Sequence, residues 1–212
     1  MKYEVRRRED GKEAIFDEKG NMISPEWFDE IEPYGLVRGQ SNLYVALKDG
    51  KSAIFDENGN MITPEWFDGV FPFGLVVGRS NYYFAVKDNK LAIFDKDGNM
   101  ITPGWFNWIF PNGLVEGECD YYLACNSKTC AVYHKDGQKV SEDFSIVYLK
   151  GVESVRFNEN LGIVNMFDKD FKLIKTIEFK PVYPDKDETI DYTKPPNIWK
   201  RFHGGSENGI WD

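Results

Sequence analysis

Four short stretches of this chain copy one another at a fixed spacing, and that periodicity confines the fold to a repeat architecture before any other feature is weighed. Ala14-Ile15-Phe16-Asp17 returns as Ala53-Ile54-Phe55-Asp56, as Ala92-Ile93-Phe94-Asp95 and, altered, as Ala131-Val132-Tyr133-His134, with starts 39 residues apart. Gly20-Asn21-Met22 returns at 59 and 98, and Pro25-Glu26-Trp27-Phe28-Asp29 as Pro64-Glu65-Trp66-Phe67-Asp68 and Pro103-Gly104-Trp105-Phe106-Asn107. Gly35-Leu36-Val37 returns at 74 and 113. A shortened fifth copy is read in Asn165-Met166-Phe167-Asp168 followed by Leu173-Ile174.

Within a copy, short runs of β-branched and aromatic residues alternate with polar turn residues, and no helical period is present. The third copy reads as four strands: Gly74 to Gly78, Tyr82 to Val86, Leu91 to Phe94 and Met100 to Thr102. The loop Asp95-Lys96-Asp97-Gly98-Asn99 is a hairpin whose Gly supplies the positive-φ position, and Pro103 stops the last strand because it lacks a ladder donor. A ten-residue connection, 103–112, then leads to the next copy and carries Trp105, Phe106, Trp108 and Phe110. The expectation is an all-β chain of tandem four-stranded antiparallel repeats at about 1–34, 35–73, 74–112, 113–150 and 151–179. A Pro-rich excursion follows at 180–206. The first copy lacks a Gly-Leu-Val strand, and Asn208-Gly209-Ile210-Trp211-Asp212 resembles Asn112-Gly113-Leu114-Val115-Glu116. A closing strand at 207–212 would therefore complete a five-bladed β-propeller; an open β-hairpin solenoid is the alternative.

The order of these elements resembles the bacterial WG, or KWG, repeat family: a strand ending in Asp, a Gly turn, an apolar strand ending in Pro, an aromatic-Asp step and a Gly-Leu triplet. Residues 11–117 follow that order. The Trp-Gly pair of the family's name is replaced by Ser52-Ala53-Ile54-Phe55-Asp56, and the tryptophan stands at Trp66. The resemblance implies an interaction module and names no ligand.

A net charge of −9 repels phosphate backbones and argues against nucleic acid as a partner. No stretch is long and apolar enough to span a bilayer. Met1 to Val5 followed by Arg6, Arg7 and Arg8 contains no secretory apolar run, and Cys119, Cys125 and Cys130 fit no framework. Free thiols in the cytoplasm are expected, in a monomer.

The residues give catalysis little footing: only His134 and His203 are present, with no nucleophile elbow or phosphate loop, and carboxylate pairs such as Asp168 and Asp170 are inevitable in an acidic chain. No enzyme activity, cofactor or metal is expected; the calcium-like Asp95 loop breaks the required alternation at Asp56-Glu57-Asn58. Trp27, Trp66 and Trp105, each beside a Phe, suit either sugar-stacking platforms or packing between units, and their strict recurrence favours packing. Partner contacts belong where the copies differ, at Gln40, Arg79 and Glu118 and at Leu43, Tyr82 and Tyr121. The basic-aromatic patch around Trp199 and Arg201 joins them. The expected function is a non-catalytic scaffold for protein–protein interaction; a carbohydrate-binding propeller and an acidic immunity or inhibitor protein are the alternatives.

Overall fold

In the computed structural model, which describes residues 3–32, 35–110 and 113–182, the alternating runs become strands wherever an apolar residue on each face finds a neighbouring sheet. The described residues form five antiparallel sheets in chain order. Sheet one pairs β1 (Glu4–Arg7) with β2 (Glu13–Phe16). Sheet two is β3 (Glu30–Ile31), β4 (Leu43–Lys48) and β5 (Lys51–Asp56). Sheet three is β6 (Gly69–Phe71), β7 (Tyr82–Lys87) and β8 (Lys90–Asp95), with a four-residue helical turn α1 (Phe73–Val76) between β6 and β7. Sheet four is β9 (Trp108–Ile109), β10 (Tyr121–Cys125), β11 (Thr129–His134) and β12 (Phe144–Ser145). Sheet five, the shortened copy, is β13 (Ser154–Asn158), β14 (Ile163–Phe167) and β15 (Leu173–Glu178).

The phase of the repeat differs from the expectation. The Gly-Leu-Val segments are turns, not strands. Gly35 and Gly113 sit at φ 72° and 93°, where a side chain is strained, and a Cβ on Gly74 would lie 2.0 Å from the Val115 carbonyl oxygen. The first strand of sheets two, three and four is instead the short piece expected to lie in the crossover: Ile31 pairs with Ala46, Val70 with Ala85 and Ile109 with Ala124. Sheets two, three and four therefore begin about five residues before the expected boundary, and the long connection lies inside each of them, between its first and second strands. The fourth strand is broken as well. Met61 and Met100 make single bridges to Phe55 and Phe94, and Phe67 and Phe106 return to bridge Ser52 and Leu91. Pro64 and Pro103, which have no N–H to donate, fall in the gap.

Strand alternation sorts the side chains to the two faces of each sheet. On β4, Tyr44 and Ala46 face sheet one with Ile15 and Phe28, while Val45 faces sheet three with Phe67 and Tyr83. On β10, Tyr122 and Ala124 face sheet three, and Tyr121, Leu123 and Cys125 face sheet five. Four cores thus lie between consecutive sheets, and the middle strands are buried on both sides. The recurrent aromatics fill these gaps: Phe28 lies 5.2 Å from Phe55 and 5.9 Å from Trp66, and Phe67 lies 5.3 Å from Phe94 and 6.1 Å from Trp105.

Sheet one breaks the pattern on its outward face. Tyr44 and Tyr83 stack on Phe55 and Phe94 at 5.5 Å, and Tyr122 on Tyr133 at 5.4 Å. The equivalent partner of Phe16 is Glu4, and the equivalent partner of Ala14 is Arg6. The Arg6 and Arg8 guanidiniums lie 4.4 Å and 5.2 Å over the rings of Phe16 and Trp27. Charged side chains of the same sheet cover aromatic surface that the next repeats bury against a neighbour.

Cys125 and Cys130, directly opposite each other on β10 and β11, are joined by a disulfide. The expectation of free thiols is corrected for both; two of the three cysteines do approach each other across strands, and the register sets them face to face. The cytoplasmic expectation loses that support, and among the described residues no helix is long and apolar enough to cross a membrane. The proposed closing strand at 207–212 and nearly all of the Pro-rich excursion lie outside the described residues.

Candidate functional site

The seven-residue turns at 35–41, 74–80 and 113–119 close in the same way. Gln40, Arg79 and Glu118 each donate a backbone N–H to the carbonyl of Gly35, Gly74 and Gly113, at 2.9, 2.7 and 2.9 Å. Successive turns stack through their backbones. The Ser80 hydroxyl donates to the Val115 carbonyl at 2.6 Å, and a Cβ on Gly117 would meet the Arg79 carbonyl oxygen at 2.2 Å. Only glycine permits that approach. The result is a column of near-identical turns whose side chains do not repeat: Arg38, Val77 and Glu116 at one position, Gln40, Arg79 and Glu118 at another.

Two concavities open beside this column. The first, of about 290 Å³, is lined by Tyr3, Gln40, Ser41, Asn42 and Glu57 among others. The second, of about 540 Å³, is lined by Asn42, Arg79, Ser80, Asn81, Lys96 and Asp97 among others. Gln40, Ser41, Asn42 and Glu57 are one repeat before Arg79, Ser80, Asn81 and Lys96, so the grooves are equivalent in position and different in charge.

Glu116, on the third turn, is 8% exposed, and its Oε2 is buried without a hydrogen-bond partner. Burial first, then the neighbouring Glu118, pushes its carboxyl up to about 7, against the pull of Arg79.

Of the residues expected to meet a partner, Arg79 is exposed and lines the second groove. Leu43 lines it too. Tyr82 is half-buried and packs on the core between sheets three and four. Tyr121 is a correction: it is 1% exposed, its ring lies 4.7 Å from Phe179 and 5.3 Å from His134, and its hydroxyl accepts from the Val182 N–H at 2.8 Å. Its place on β10 turns the ring into the core, so variation there reflects repacking. Trp199 and Arg201 lie outside the described residues. Glu116, Asn42 and Lys96 were missed, although the series Arg38, Val77, Glu116 varies as visibly as the one that was used.

The polar hairpin residues have structural work. Asp56 Oδ1 accepts from the N–H groups of Asn58 and Asn60 at 2.8 Å, and Asp95 does the same for Asp97 and Asn99 at 2.9 Å. Asp168 caps its turn through Asp170 and Lys172. Asp29 and Asp68 accept from the Asp49 and Asp88 N–H groups at 2.7 and 2.8 Å and pair with Lys12 and Lys51. Among the described residues no group of three or more His, Cys, Asp or Glu side chains is placed to hold a metal ion.

The architecture defines an all-β tandem-repeat protein with its cores between consecutive sheets. No family model matches the chain, and no curated protein matches it. Solved structures similar to it include a eukaryotic initiation factor, at 10% identity and a TM-score of 0.46, covering 84% of this chain and 48% of that one. Kluyveromyces lactis Hsv2 is similar at 15% identity and a TM-score of 0.41, covering 84% and 59%. BBS1N, solved in complex with ARL6DN, is similar at 10% identity and a TM-score of 0.32, covering 84% and 61%. The chain spans about half to three-fifths of their lengths, and at these TM-scores the account of this protein stands on its own sheets.

Proposed function

We propose that this protein is a non-catalytic scaffold that binds another protein along the column of stacked turns. The observation that carries the reading is a turn backbone that repeats while the side chains it carries do not. A structural requirement would repeat with the scaffold, as Phe28, Phe67 and Phe106 do, whereas a surface that reads one partner needs a different group at each step. Arg79 beside the grooves has the composition of an interface anchor. The resemblance to WG repeats, an interaction family, favours the same reading.

A carbohydrate-binding role is less well supported, since repeated sugar sites would be alike and the grooves exchange Gln40 and Glu57 for Arg79 and Lys96. Trp66 and Trp105 are also engaged by phenylalanines of the sheets. The test is affinity capture with wild-type protein and a Gln40→Ala/Arg79→Ala variant, set beside a glycan array. Protein species retained by the wild type and lost from the variant, with a blank array, are expected. Glycan binding that survives the double substitution would overturn the reading.

A further inference from the structure

We propose that Glu116 and Glu118 form an acidic anchor that receives an arginine side chain of the partner. The inference rests on reading the turn column as a protein-binding surface. The fold itself has no use for an acid at 116. The third turn is closed by backbone bonds, Gly117 N–H to the Leu114 carbonyl at 3.2 Å and Glu118 N–H to the Gly113 carbonyl at 2.9 Å, which leave both carboxylates out. The sister turns close identically with Arg38 and Val77 at that position, and Val77 is half-buried, so an apolar side chain fits the place.

Glu116 is nonetheless more than nine-tenths buried, and its Oε2 meets no donor. An unsatisfied buried carboxylate oxygen is unfavourable, and a fold that tolerates one where it accepts valine elsewhere holds it for a ligand. Among the described residues, three charged groups act on this pair. Glu118 of the same turn repels Glu116, Arg79 of the preceding turn attracts it, and Arg156 of β13, in sheet five, faces Glu118. Arg79 leaves Oε2 without a hydrogen bond. Glu118 is exposed beside Glu116, and two neighbouring carboxylates, one with an oxygen that lacks a donor, suit the planar fork of a guanidinium, which donates to several oxygens at once. A divalent cation is a poorer match, because calcium and magnesium need more oxygen ligands than two carboxylates provide.

Binding an arginine requires Glu116 ionised, so the site releases a proton as it fills. Apparent affinity then rises with pH up to about 7, near the carboxyl's raised pKa, and levels above it.

The experiment is calorimetric titration of the full chain with tetra-arginine amide and with its neutral isostere tetra-citrulline amide, at pH 6, 7 and 8 in 150 mM salt. Expected are binding of the arginine peptide that strengthens from pH 6 to 8, and citrulline binding weaker by roughly tenfold or more. Glu116→Gln and Glu116→Val should each lose roughly tenfold in affinity together with the pH dependence, while melting no earlier than wild type. Equal binding of the two peptides, unchanged affinity in both Glu116 variants, or preference for calcium over the arginine peptide would each overturn the inference. If any of these occurs while captured protein is still lost from the Arg79 variant, the anchor is wrong and the broader reading stands; loss of neither overturns both.

Discussion

Replacing Phe67 by Ala probes the architecture most directly, because this ring joins two sheets. Phe67 is 1% exposed. It packs with Val45, Ile54 and Tyr83, and its ring lies 5.3 Å from Phe94 and 6.1 Å from Trp105. Its backbone N–H and carbonyl exchange hydrogen bonds with Ser52 at 3.1 and 2.8 Å, and alanine keeps both, so the loss is one of side-chain packing alone. Lost transfer free energy plus the cavity left between two sheets comes to about 3–5 kcal/mol. For a chain of this length that lowers the melting temperature by roughly 6–20 °C. Trp66 is only half-buried, and its replacement by alanine should cost about half as much. Urea unfolding followed by both far-ultraviolet circular dichroism and tryptophan fluorescence gives the two values and shows whether the sheets unfold together. A Phe67→Ala loss under 1 kcal/mol, or a Trp66→Ala loss larger than it, would refute the placement of the cores between consecutive sheets.

Tyr83→Phe should leave stability unchanged or raise it by up to about 1 kcal/mol in the same urea assay, since the buried hydroxyl has no hydrogen-bond partner and its removal relieves a desolvated group. Glu116 sets a pH dependence of known sign. Its carboxyl is raised from 4.5 to about 7, so between those values the folded chain holds a proton the unfolded chain has released. That contribution, up to about 3 kcal/mol, is complete below pH 4.5 and lost as pH rises to 7; Glu116→Gln should flatten this slope in melts between pH 5 and 8. Thiol titration of the unreduced, denatured protein should find one reactive cysteine, Cys119, and a count of three would refute the Cys125–Cys130 bridge. Converting this outward face of sheet one with Glu4→Tyr and Arg6→Ala should recreate the surface of Tyr44 and Ala46 where no neighbouring sheet lies among the described residues. Concentration-dependent association in sedimentation is then expected, and a strictly monomeric variant would show the face is covered within the chain.

Much of the fold was legible. The 39-residue period and the alternation of Tyr83, Ala85, Ala92 and Phe94 marked the second and third strands of sheet three to within a residue. Asp56 and Asp95 were read correctly as hairpin residues because their side chains act locally, on N–H groups two and four positions ahead. The first strand was misplaced because two-residue strands such as Glu30–Ile31 and Trp108–Ile109 are too short to show a period of two. The Gly-Leu-Val segments imitate a strand in composition, while their conformation is set by contact with the next repeat. The candidate site was legible as a column of varying residues. Tyr121 was drawn into it wrongly, because variation alone does not tell a surface position from a repacked core.

Local chemistry is thus what the sequence determines by itself: repeat length, turn positions, strand faces, and the invariance that marks Phe28, Phe67 and Phe106 as packing residues. Each depends on a residue and its near neighbours along the chain. The tertiary structure decided everything that depends on the approach of one repeat to another. It placed the cores between sheets, turned Tyr121 inward, paired Cys125 with Cys130 and forced glycine at 74 and 117 against the backbone of an adjacent turn. It also buried Glu116 beside Glu118 and left its Oε2 without a donor. Such contacts join residues tens of positions apart, and their geometry is set by how sheets stack, which no short pattern in a single chain encodes.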